Sequence, residues 1–130
     1  MDPAARTAFG QIRRWLANAP HEPPSEGLVI LRDYLDAGLR RTLATFSVAL
    51  GDRIEDKLPE LTMPVLVVRG SRDPIVPQQW AQRVAALAPS GSLRLVRGAA
   101  HTVNYAAPTD FARLIESFLL SQQSPAEVTR

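Results

Sequence analysis

The run "VLVV" (Val65 to Val68) limits this chain more than any other feature. Three of its four residues are β-branched, none is polar, and the turn "RGSRDP" follows directly. An uninterrupted apolar strand of this kind is covered on both faces, as in the middle of a parallel sheet. The stretch "PQQWAQRVAALAP" (Pro77 to Pro89) then predicts a helix, with Pro77 in its first turn and Trp80, Val84 and Leu87 on one stripe. "SLRLVRG" (Ser92 to Gly98) alternates, Leu93 and Leu95 against Arg94, which suits a second strand nearer a sheet edge. "PTDFARLIESFLL" closes the pattern: Phe111, Leu114, Ile115, Phe118 and Leu119 fall on one helical face.

Strand, helix, strand, helix is a βαβα unit, with parallel strands and a right-handed crossover. One tension remains. The first strand reads as central, yet the chain offers it one partner, and two parallel strands are not an independently stable sheet. The expected fold class is therefore α/β, as one end of a larger sheet. Residues 1–60 read as helical. Phe9, Ile12, Trp15 and Leu16 mark an amphipathic helix over Thr7 to Leu16. The proline-rich "NAPHEPPSEG" breaks it, and Ser25 is positioned to cap the next helix. Leu28, Leu31, Leu35 and Leu39 form one stripe, continued by Leu43, Phe46 and Leu50 after a kink at Gly38, with a stop at Gly51. Three segments result: a helical region over 1–60, the βαβα unit over 61–120, and a polar, disordered tail over 121–130.

In parallel α/β sheets, polar chemistry gathers at the carboxyl ends of the strands. Asp73 lies there after the first strand, in "GSRDPIVP", and His101 after the second, in "GAAH". Adjacent strands are about 5 Å apart, so the two loops are neighbours and a carboxylate there can reach an imidazole nitrogen. That contact fixes the tautomer and stabilises the imidazolium formed when the other nitrogen takes a proton. Pro74 pushes Asp73 to an extended backbone, and Gly98, Ala99 and Ala100 let the histidine loop pack closely. Alone, Asp73 would be a turn residue and His101 a structural histidine; as a pair they favour a catalytic dyad. Arg69, Arg72, Arg94 and Arg97 read as solvated, Trp15 and Trp80 as packing. Asn104 and Tyr105 are weaker candidates for the pocket.

On these residues, "MPVLVVRGSRDPIVPQQWAQRVAAL" and "SLRLVRGAAHTVNYAAPTDFARLIESFL" resemble the C-terminal third of the α/β-hydrolase fold. The shared pattern is a strand, G-x-x-D with a following apolar-Pro pair, a helix, a strand, a small-residue run ending in histidine, and a last helix. The resemblance covers roughly residues 58–120 and implies Asp73 as triad acid and His101 as triad base. Residues 1–57 resemble, more weakly, the lid inserted before those strands. A hydrolase of small esters, amides, epoxides or C–C bonds is implied, with apolar lid residues (Leu28, Leu31, Leu35, Phe46) hinting at an apolar substrate.

One family element is missing. The triad order is nucleophile, acid, base, with the nucleophile in a G-x-S-x-G elbow, and no such motif occurs here. Ser47 lies in a helical pattern with no strand before it. Ser71 shares the loop of Asp73, and the side chain of Thr102 is expected to point away from His101. The early strands and the elbow are thus expected before Met1, in a fragment, truncated or split hydrolase that takes its small-molecule substrate only when completed by an N-terminal half. The alternative is a non-catalytic module that binds a partner, or itself, through the open sheet edge.

Composition removes other classes. There is no cysteine, so no disulfide, thiolate metal site or cysteine nucleophile. His21 and His101 lack ligand spacing, and no cofactor or metal is expected. The formal net charge is +2 and the pI about 9.7. Of 15 basic residues only Lys57 is a lysine, and arginine stays charged at any accessible pH. The arginines are mixed with acids, which is no nucleic-acid footprint. Apolar runs are too short for a membrane span, and the start is not a signal peptide. A cytoplasmic location is the expectation.

Overall fold

Thr7 opens the first helix from an extended backbone, its hydroxyl accepting the Gly10 amide at 3.1 Å. In the computed structural model, which describes residues 1–123, this helix α1 spans Ala8–Asn18, two residues past the expected end. A 3-10 turn (Ala19–His21) leads into α2 (Pro24–Ala37). Ser25 is not its cap. The helix starts one residue earlier, because proline suits a first helical position that needs no N–H donor. Gly38, at φ +76°, ends α2 and starts α3 (Leu39–Gly51). The interruption is a full break rather than a kink, since a left-handed backbone cannot continue a helix. A single turn, α4 (Ile54–Lys57), and a 3-10 turn (Leu58–Glu60) complete the helical half.

Then come β1 (Val65–Gly70), α5 (Gln78–Leu87), β2 (Gly91–Val96), α6 (Val103–Ala106) and α7 (Pro108–Gln123). Helix α7 takes in Ser121, Gln122 and Gln123, where a disordered tail was expected; the rest of that stretch, 124–130, lies outside the described residues. β1 and β2 pair in parallel, from Val65 beside Gly91 to Gly70 beside Val96. Both flanking helices touch both strands. On the α7 side, Val96, Ala99 and Val103 form a core with Val68, Ala107, Phe111 and Leu114. On α5, Trp80, Ala81 and Ala85 are buried.

One expectation about burial is corrected. Val65 to Val68 are only half-buried, because β1 has a neighbour on one edge alone among the described residues. The leucine stripe of the helical half is largely open: Leu28 is 71% exposed and Leu35 and Leu39 are each 74%, while Phe46 and Leu50 at its far end are half-buried. Their spacing is helical, and most of this face stands open among the described residues. No described helix is long and apolar enough to cross a membrane.

Candidate active site

Gly70 is where the two strand-end loops meet. A Cβ on it would lie 1.9 Å from the Ala100 carbonyl oxygen and 2.4 Å from that of Ala99, so only glycine allows this approach. Backbone bonds then join the loops: Ser71 N–H to the Val96 carbonyl and Arg72 N–H to the Ala99 carbonyl, both 2.9 Å. The Ser71 hydroxyl accepts the Gly98 amide at 2.8 Å. This seam sets Asp73 against His101.

Asp73 is 5% exposed and fully engaged. Its Oδ1 accepts the Ile75 and Val76 amides at 2.7 and 3.0 Å. Its Oδ2 lies 2.9 Å from His101 Nδ1. Burial pushes the carboxyl pKa up, but the imidazole, the two amides and the imidazolium charge outweigh it and hold it below 3.8. An ionised carboxylate only accepts, so Nδ1 must carry the proton and Nε2 is left as the basic nitrogen. The hydrogen bond to Asp73 raises the His101 pKa above 6.5 against the opposing pull of burial, helped by the charges of Asp73, Glu22 and Glu26. The imidazole keeps 38% of its side-chain surface exposed, so it remains reachable.

Arg69 is not solvated. It is 8% exposed, and its guanidinium donates to the Val76 carbonyl at 2.6 Å and the Asp73 carbonyl at 2.7 Å. It braces the loop that presents the acid. Arg72, Arg94 and Arg97 are exposed.

The histidine loop has partners that sequence reasoning missed. Glu22 Oε1 accepts the His101 amide at 2.7 Å and the Thr102 amide at 2.9 Å, together with Asn18 Nδ2 at 2.9 Å. The Thr102 hydroxyl is taken up by two carboxylates. It lies 2.6 Å from Glu22 Oε2 and 2.7 Å from Glu26 Oε2. One hydroxyl hydrogen thus serves two carboxylates. Burial raises the Glu22 pKa, but the hydrogen bonds from Thr102, Asn18 and His101 bring it below 4.5. The only available sequence signal was Glu22 and Glu26 four residues apart around "PPS", in a stretch read as a break.

Beside these groups opens a cavity of about 450 Å³. His101, Thr102, Glu22 and Glu26 form its polar side; Trp15, Pro23, Ile30 and Ile75 are among its apolar walls. Trp15 stacks on Tyr34 with ring centroids 6.2 Å apart. Asn104 and Tyr105 do not line the cavity; the Tyr105 hydroxyl is 3.0 Å from Ser25 Oγ. Ser47 bonds back to the Ala44 carbonyl, and Ser71 is taken up by Gly98. Among the described residues no three His, Asp or Glu side chains gather as metal ligands.

A family model described as TAP-like protein, of the α/β-hydrolases, matches residues 44–130. The chain belongs to the α/β-hydrolase family. Protein ABHD8 of Mus musculus is 36% identical over 66 residues, which is 51% of this chain and 15% of that protein. Human ABHD8 is 36% identical over 67 residues, 52% of this chain and 15% of that protein. The chain thus matches only about 15% of the length of these curated relatives. Among solved structures, an E-2-(acetamidomethylene)succinate hydrolase is 26% identical with a TM-score of 0.55, over 63% of this chain and 31% of that one. A serine hydrolase involved in carbazole degradation has a TM-score of 0.59 at 22% identity, over 93% of this chain and 50% of that one, a likeness of fold.

Proposed function

We propose that this chain carries the acid and base of an α/β-hydrolase triad, Asp73 and His101, for hydrolysis of a small, neutral, apolar ester-like substrate. The observation behind this reading is the 2.9 Å contact between an acceptor-only carboxylate and Nδ1 of an imidazole whose other nitrogen has no hydrogen-bond partner among the described residues. In the reaction, Nε2 removes the proton of an attacking hydroxyl and returns it to the leaving group, while Asp73 stabilises the imidazolium. The nucleophile comes from residues outside these 130, since the sequence holds no G-x-S-x-G. The free edge of β1 is where the strands carrying it would add to the sheet. The helical half then serves as the lid, its apolar cavity wall favouring an apolar group and Glu22 and Glu26 disfavouring an anionic one.

The test begins with the imidazole. His101 is expected to titrate above 6.5 by NMR, and Asp73→Asn is expected to lower that value. An unchanged titration would overturn the dyad. In the completed hydrolase, Asp73→Asn should cost about 10⁴ in kcat. The chain alone should neither hydrolyse p-nitrophenyl butyrate nor react with a fluorophosphonate probe; covalent labelling of one of its own serines would place the nucleophile here instead. The linkage to stability has two signs. The raised His101 pKa contributes stability that is complete below 6.5 and is lost as pH rises through the raised value. The depressed Asp73 pKa contributes stability present above 3.8 and lost as pH falls through the lowered value.

A further inference from the structure

Arg14 sits on α1, far from Asp73 in sequence. Its Nη1 donates to the Ile75 carbonyl at 2.9 Å. That carbonyl belongs to the peptide unit whose N–H, on Val76, donates to Asp73 Oδ1 at 3.0 Å. Asp73 Oδ2 in turn meets His101 Nδ1 at 2.9 Å. Guanidinium, peptide, carboxylate and imidazole thus form one continuous line of hydrogen bonds. Donation to a carbonyl polarises its peptide and strengthens the N–H on the other side. Arg69 cannot do the same. The carbonyls it takes, of Asp73 and Val76, belong to peptides whose nitrogens are those of Pro74 and Pro77, which carry no hydrogen. Arg14 is itself held in place, with Nη2 2.7 Å from Asp2 Oδ2. Both side chains of that ion pair are largely buried.

We propose that Arg14 is a positioning residue for the dyad: through the Ile75–Val76 peptide it fixes and polarises the amide that grips Asp73. The inference rests on the reading of Asp73 and His101 as acid and base, and it gives the helical half a direct influence on that pair. The groups facing the dyad are Arg69 and the Arg14-bound peptide on the side of Asp73, and Glu22 and Glu26 on the side of His101.

The experiment follows the Asp73 carboxyl by carbon-detected NMR titration of the whole chain, with four substitutions. Arg14→Ala should raise the Asp73 pKa by about half a unit or more, because an amide donor is weakened. Arg14→Lys, which keeps a cationic donor, should recover most of the shift. Arg6→Ala is the structural control, since Arg6 holds Glu55 at 2.7 Å without touching the acid loop; it should leave Asp73 unmoved. An Asp73 titration that ignores Arg14→Ala, or that moves equally with Arg6→Ala, overturns the proposal. His101→Ala tests the underlying dyad separately: if it leaves Asp73 unshifted, the dyad fails whatever Arg14 does.

Discussion

The two halves of this chain carry equally regular apolar patterns and meet opposite fates. In the βαβα half the pattern is largely covered: Trp80, Val96 and Val103 are buried, Val65 to Val68 and most of the α7 stripe are half-buried, and Leu95 and Leu119 are exposed. In the helical half Phe9, Leu35, Leu39 and Val48 stand in solvent, each more than 70% exposed. Polar groups join the halves around the site. Arg14 reaches Ile75, Glu22 takes the amides of His101 and Thr102, and Ser25 meets Tyr105. Periodicity therefore shows which face of a helix needs covering, but not whether the cover lies in the same chain.

The sharpest way to break this contrast is at the seam of the βαβα half. Gly70→Ala places a methyl group into two carbonyl oxygens that belong to backbone and cannot move aside. It should cost about 3 kcal/mol in urea unfolding, and a mutant within 1 kcal/mol of wild type would mean the loops are not held as described. The junction comes next. Glu22→Ala leaves the His101 and Thr102 amides without their acceptor, which should cost about 2 kcal/mol. Hydrogen exchange at those two amides should accelerate while the paired amides of β1 and β2 stay protected. Equal acceleration throughout would mean the halves unfold together. The smallest effect belongs to the exposed stripe. Leu35→Lys should change the stability of the chain by less than about 0.5 kcal/mol. A larger loss, or a change in oligomeric state, would show that this face is already covered in solution.

The strands, the crossover helix and the closeness of Asp73 to His101 were legible from the sequence, because each rests on local pattern plus the spacing of neighbouring strands. Arg69 was not. Its position on β1 is plain, but its burial depends on loop carbonyls of Asp73 and Val76 folding back over it, and no periodicity records a backbone turn. The partners of Thr102 were missed for a similar reason. Its direction is set by two carboxylates about eighty residues earlier, and a charged pair inside a proline-rich break looks like any solvated loop. The leucine stripes are a different case: the helices form as their spacing predicts, and the spacing itself carried no information on what covers them.

The free edge of β1 has a consequence for handling the protein. A half-buried valine-rich strand with unpaired backbone groups is a template for aggregation, and natural chains blunt such templates with gatekeepers on their flanks. Here Pro64 stands before the run and Arg69 after it. Arg69 is already committed to the acid loop, so its charge gives the edge little protection. Among the described residues flanking the run the guard falls to Pro64, and aggregation should rise with protein concentration more steeply than the overall charge suggests.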